Sequence, residues 1–278
     1  MYSNQRQKNS LTFKRLLVLF SFIFGGLLLV NAQEKKAASK YNEGLAKLKE
    51  KDYATGFPLM EEALKFAEEE GNEKVVSLAK KNGAKAAYNL GSSKRKEKAY
   101  DEALTLFERG IELNPAYTSN YMGKAQALDG KGEKVGAVQA YIAAADLSAE
   151  AGKADRSGQL LKRAESIIGK LYSGKKYDLA IEAGKAHLAL RESKNVHYYM
   201  AKSFEKQKNT PAALEHITKA VEMAEAAEGP VADKFYWAQG NILEASNKKT
   251  EALSAYKKIS GEKYKANADY RIRELGGS

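Results

Sequence analysis

Three histidines, His187, His197 and His216, are the side chains best suited to acid–base or metal chemistry in this 278-residue chain. Their spacing assembles no site. His197 and His216 stand nineteen residues apart, with no carboxylate at the spacing of a helix-borne metal pair. His187 lies seven residues after Ala180, where other stretches of similar pattern carry Ala63, Gly110, Ala144, Ala220 and Ile259. That is a packing position, so His187 reads as a core or boundary histidine and not as a ligand. There is no cysteine, hence no thiol nucleophile and no disulfide framework. Gly130, Gly132 and Gly136 lack the lysine–serine ending and the preceding strand of a phosphate loop. No serine has the setting of a nucleophile elbow, and Glu68-Glu69-Glu70 reads as a solvated helix end. The expectations are no catalytic group, no cofactor, no metal and no enzyme.

What remains is surface, and the elements that would present it. Past Gln33 the apolar residues recur at helical spacing. In "KAYDEALTLFERGIELNP" they are Tyr100, Ala103, Leu104, Phe107 and Ile111, one stripe of a helix. No alternating β-branched run argues for strands. Pro115, Pro211 and Pro230 stand where helices start or stop, Pro211 behind a cap at Thr210; Pro58 falls inside a helical stretch that either starts late, near Phe57, or kinks.

The pattern repeats. Gly56, Ala103, Ala137, Ala180, Ala213 and Ala252 are equivalent, at separations of 47, 34, 43, 33 and 39. Twelve residues before each stand Gly44, Gly91, Ala125, Ile168, Ala201 and Gly240, and four after each stand Met60, Phe107, Tyr141, Gly184, Ile217 and Tyr256. Helices approach closely only where small side chains meet. Gly91 against Ala103 would be one such crossing, with Tyr100 at the turn, Phe107 directed to the next pair and Pro115 ending the second helix. The two long separations imply extended helices, one from about Glu73 and one after a turn near Gly152. A final stripe of Tyr264, Ala268, Ile272 and Leu275 reads as a terminal helix with one face for the last pair and one for water.

With a period near 34, these positions resemble the tetratricopeptide repeat. "AAYNLGSSKRKEKAYDEALTLFERGIELNP" (Ala86–Pro115) is similar to that family's consensus, as is "YMGKAQALDGKGEKVGAVQAYIAAADL" (Tyr121–Leu147). The resemblance covers about residues 37–275 and implies an all-α, right-handed superhelical solenoid. Its approximate repeats are 37–70, 84–117, 118–151, 161–194, 194–227 and 233–263, with a capping helix over 264–275, all within a solenoid domain of residues 33–278.

In that family the first helix of each pair lines a concave inner face, and residues three before its small position point into it. The matching residues here are Tyr41, Tyr88, Met122, Glu165, Tyr198 and Trp237, with Lys49, Lys85, Arg95, Lys96, Lys162, Lys202, Lys206 and Lys234 as basic neighbours. Aromatic area flanked by cations suits an extended peptide with acidic groups. The plainer alternative is that the tyrosines pack between repeats and the lysines solvate a face. Chaperone-binding members grip a terminal carboxylate with a lysine–asparagine set; Tyr41 with Leu45, Tyr88 with Ser92 and Tyr198 with Lys202 do not reproduce it.

The first 32 residues carry Arg6, Lys8, Lys14 and Arg15, then the apolar run Leu16–Val30, then Asn31-Ala32. That is the pattern of a cleavable export signal over 1–32. As a helix the run would reach roughly 22 Å against a hydrocarbon core of roughly 30 Å, which weighs against the alternative of a retained anchor. No lipid-bearing cysteine follows. Of the net charge of +11 the signal supplies +4, and the remaining +7 is spread through mixed-sign stretches, which does not call for nucleic acid. The expectation is an exported, periplasmic or envelope, non-lipidated scaffold that binds a protein or peptide partner. The alternative is attachment to an anionic envelope polymer or membrane surface through basic runs such as Lys94-Arg95-Lys96-Glu97-Lys98.

Overall fold

The computed structural model describes residues 36–227 and 232–276. The segment read as an export signal, and Pro230 with Gly229, lie outside the described residues. Among the described residues there are thirteen helices and no strand. In chain order they are α1 (36–49), α2 (Tyr53–Glu70), α3 (Glu73–Lys96), α4 (Tyr100–Leu113), α5 (Thr118–Lys131), α6 (Lys134–Glu150), α7 (Ala154–Ser173), α8 (Tyr177–Leu188), α9 (Lys194–Lys206), α10 (Thr210–Glu225), α11 (Asp233–Ala245), α12 (Lys249–Lys257) and α13 (Glu262–Glu274). None of them is long and apolar enough to cross a membrane.

One backbone device closes every helix pair. Five residues before each small residue of the second helix the chain enters the left-handed region: Lys51 (φ 62°), Lys98 (63°), Gly132 (98°), Lys175 (60°), Lys208 (61°) and Asn247 (57°). The N–H of the following residue then donates to the carbonyl five residues back. The bonds run from Asp52 to Lys47 (3.0 Å), Ala99 to Lys94 (3.0 Å), Glu133 to Leu128 (2.9 Å), Lys176 to Leu171 (2.9 Å), Asn209 to Phe204 (2.9 Å) and Lys248 to Leu243 (3.0 Å). This is the Schellman closure, which satisfies carbonyls the ending helix would leave unpaired. The next helix starts at once, and turns this short hold the two helices antiparallel. Asp52 and Asn209 cap α2 and α10 through Thr55 N–H and Ala212 N–H, and Asn72 and Ser193 cap α3 and α9.

The long first helices expected after the wide gaps are α3, with 24 residues, and α7, with 20, entered through a left-handed Gly152. Three local expectations need correction. Helix α2 begins at Tyr53 and runs through Pro58, so it does not start late. The cap before Pro211 is Asn209, and Thr210 is already helical. Phe107 does not point to the next pair: its ring lies on Gly91 of its own pair, where an added methyl would be 2.9 Å from it. The small residue in the first helix therefore makes room for a ring, and not only for a backbone. Tyr256 sits on Gly240, and Met60 on Gly44, in the same way.

The small positions counted in the sequence are core. Ala103, Ala125, Ala137, Ala180, Ala201, Ala213 and Ala252 have no exposed surface, and Gly44, Gly56, Gly91 and Gly240 are buried. Tyr141 is buried in α6. The chain forms two units, residues 1–120 and 121–278, divided inside α5. In the first, α2 packs on α3 and α3 on α4, and Asn120 is buried with its amide donating to the Ala84 carbonyl at 3.1 Å. In the second, first helices lie side by side: α7 packs on α9, α9 on α11 and α11 on α13. The last core gathers Ile217, Val221, Phe235, Ile242, Tyr256 and Ala268, with Tyr264, Ile272 and Leu275 of the terminal helix packed against it.

Candidate binding face

In the first unit the sequence-predicted residues serve packing. Tyr41 is half-buried against Ala63 and Leu64, and its hydroxyl accepts from the Asn82 amide at 2.8 Å. The Tyr88 ring stands 6.1 Å from Phe107 and 6.2 Å, edge-on, from Tyr117. Lys96 is exposed at the end of α3; Arg95 is half-buried and its Nε is buried without a partner. The basic run around them is partly committed. Lys94 pairs with Glu102 at 3.0 Å and Glu97 at 3.5 Å, and Lys98 is the left-handed turn residue.

In the second unit Met122 is half-buried on α5. The residues predicted on α9 and α11 come together, on first helices that pack on each other. Tyr198 of α9 meets Phe235 of α11 edge-on at 5.6 Å and Tyr199 at 5.4 Å. Tyr199 continues to Tyr172 of α7 at 6.2 Å, and Tyr172 to Tyr177 at 5.9 Å. Trp237 lies 5.4 Å from Tyr256 and 6.1 Å from Tyr264 of α13. Tyr198, Trp237 and Tyr264 are each partly buried, ring against core. Burial holds the Tyr198 phenol protonated, pushed up to about 12. Sequence reasoning missed Tyr172, Tyr199 and Phe235 as members of this series. The Tyr198-Tyr199 doublet was the available signal, since adjacent helical residues differ by 100° and a doublet reaches both an open and a packed direction.

The cations of this face are largely committed. Lys202 pairs with Glu205 one turn on. Lys234 donates to Asn195 Oδ1 at 3.1 Å and lies 4.8 Å from the Phe235 ring centroid and 5.2 Å from that of Tyr198. Burial lowers the Lys234 pKa, with Lys194 adding to the effect and Glu165 opposing it. Lys206 is exposed. Arg271 of α13 pairs with Glu244 of α11. The face is therefore a run of aromatic rings bordered by charge pairs, less cationic than the residue count implies.

The histidines form hydrogen bonds the sequence did not reveal. His197 is buried, with Nδ1 2.8 Å from His216 Nδ1 and Nε2 2.8 Å from the Glu192 carboxylate. Phe204 stacks on His216 at 5.5 Å. His187 is buried near the end of α8. Among the described residues no three metal-ligating side chains converge.

No protein-family model matches the chain, and no curated protein matches it. Among solved structures it is similar to PilF of Pseudomonas aeruginosa, at 14% identity over 81% of this chain and 90% of that one, with a TM-score of 0.33. It is similar to a thermophilic TPR protein of Thermus thermophilus, at 16% identity over 86% and 98%, TM-score 0.28. It is also similar to the TPR2AB domain of yeast Sti1, at 14% identity over 87% and 96%, TM-score 0.32. Identities this low carry nothing about partners. By its consecutive helix pairs, with small residues buried at the crossings, the chain is an all-α helical-repeat protein.

Proposed function

We propose that this chain is a non-enzymatic interaction scaffold of the cell envelope, and that a peptide or protein segment docks on the first-helix face of the second unit. The observation that carries the reading is the run of half-buried rings, Tyr198, Trp237 and Tyr264, on helices α9, α11 and α13 that pack in series. Such rings offer large area at low conformational cost, with a polar edge left for hydrogen bonding. Export rests on the N-terminal pattern. Attachment to an anionic surface through Lys94–Lys98 is the weaker reading, because Lys94 has two acidic partners.

A photocrosslinking residue placed at Tyr264, in the native host, tests it. A defined adduct is expected from position 264 and none from exposed Glu215 on α10. Trp237→Ala should abolish it, since loss of a central aromatic anchor commonly costs about 2 kcal/mol or more of binding, roughly thirtyfold. An adduct of equal yield in the Trp237→Ala protein, or none in any envelope fraction, would overturn the face assignment. Mass analysis of the mature N-terminus checks cleavage after Ala32.

A further inference from the structure

A cleft of about 300 Å³ opens in the second unit between α7, the 189–193 connection and the end of α10. Glu165, His187, Glu192, Ser193, Asn195 and Met223 are among its lining residues. His187 is 1% exposed. Its Nδ1 lies 2.9 Å from the Arg191 carbonyl oxygen. A carbonyl only accepts, so Nδ1 carries the proton and Nε2 presents a lone pair. That Nε2 is buried and has no partner. A buried acceptor left unpaired is costly, and it defines what would complete it: an N–H or O–H donor.

The surrounding charge selects among donors. Glu165 is already organised as an acceptor, taking hydrogen bonds from Ser193 Oγ and from Asn195 Nδ2, the latter at 3.0 Å. Glu192 adds a second carboxylate, exposed and bonded to His197. Of the two cations lining the cleft, Arg191 and Lys194, the Arg191 guanidinium is paired with Asp146. Burial lowers the pKa of His187 and the Arg191 guanidinium adds to this, against the Arg191 carbonyl and the Glu165 and Glu192 carboxylates, so the net direction favours the neutral, accepting imidazole. Leu161 and Met223 give an apolar wall for a hydrocarbon stem. An anion finds no free donor in His187.

We infer that this cleft binds a primary ammonium group, with His187 Nε2 accepting one N–H and Glu165 and Glu192 supplying the counter-charge. The ammonium can come from a lysine side chain of a polypeptide or from a free alkylamine. The inference goes beyond the aromatic-face reading, because the cleft is lined by none of those rings and should keep its ligand in the Trp237→Ala protein.

The test is the ¹⁵N resonance of His187 Nε2 in the full chain, titrated with n-butylammonium chloride. The resonance should move towards the hydrogen-bonded range, saturating at about millimolar ligand. Tetramethylammonium, equal in charge but without an N–H, should leave it unmoved. Glu165→Gln should weaken n-butylammonium about tenfold, the loss of one charge-assisted contact. Lys194→Ala should strengthen it, and neither variant removes a core side chain. His187→Phe should abolish binding, with its melting curve reported alongside. A glycine–lysine–glycine peptide binding more tightly than n-butylammonium points to a polypeptide source, and equal affinity to a free amine; both support the site. An unmoved Nε2 resonance at saturating n-butylammonium, an equal shift with tetramethylammonium, or full binding by Glu165→Gln overturns it.

Discussion

At Gly240 an added methyl would stand 2.3 Å from the Tyr256 ring, which is itself fully buried and tied by its hydroxyl to Asn241 and Glu244 at 2.8 and 3.1 Å. Neither partner can yield easily, so Gly240→Ala should destabilise by about 1–3 kcal/mol through overpacking. Gly158 of α7 is the opposite case. Nothing lies within 4 Å of where its Cβ would be, so Gly158→Ala should stabilise by about 0.5–1 kcal/mol, the helix-propensity difference alone. Urea unfolding of both variants checks the pair of signs. That Gly240 is a crossing residue was legible from counting. Its partner was not: the count placed Tyr256 sixteen residues on without saying that the ring folds back onto its own pair, because direction along a helix face depends on χ1 as well as spacing.

The repeated turn shows what register does and does not disclose about an element. Aligning the six copies on their small residue puts Lys51, Lys98, Gly132, Lys175, Lys208 and Asn247 in one column, and all six share the left-handed backbone. Lysine does not advertise that conformation, so the column reads as solvated charge until the backbone is seen. Helix identity, length and pairing were legible because they rest on a 3.6-residue apolar period and on small residues at crossings, which the residue types state directly. A lysine held left-handed costs roughly 1–2 kcal/mol, partly offset on replacement by the freedom glycine restores to the unfolded chain. Lys98→Gly, Lys175→Gly and Lys208→Gly should each therefore stabilise by about 0.5–1 kcal/mol. The gains should add, since the turns share no hydrogen-bond partner. Asn247→Gly should gain less, asparagine being the more tolerant of this region. Equal gains at Asn247 and the three lysines, measured by denaturation midpoint, would contradict this account.

Over the whole molecule, imidazole burial is confined to the second unit. All three histidines and the single tryptophan lie in the second unit, and residues 1–120 contain neither. The site was less legible than the fold for a related reason: the aromatic positions could be placed on a face, but the tethering of Lys234 to Asn195 and of Arg191 to Asp146 depends on side chains far apart in sequence. The histidines give this asymmetry a measurable consequence. Burial lowers the pKa of His187 and of His216, the neighbouring His197 ring adding to the effect at His216. An unfolded histidine titrates near 6.5. Above that pH both states are neutral and no stability is at stake. As pH falls through 6.5 the unfolded chain takes protons the folded chain resists, so stability is lost, and the loss levels off once the folded groups are protonated too. Asp52 and Glu225, whose pKa values are lowered by hydrogen bonds to Thr55 and to Lys258, act only at more acidic pH, below the ordinary carboxylate range. The denaturation midpoint reported by Trp237 fluorescence should therefore fall between pH 7.5 and 5.5, and His187→Gln should flatten that slope. A midpoint constant over this range, or one that falls equally in the His187→Gln protein, would place the buried imidazole outside the balance of folding.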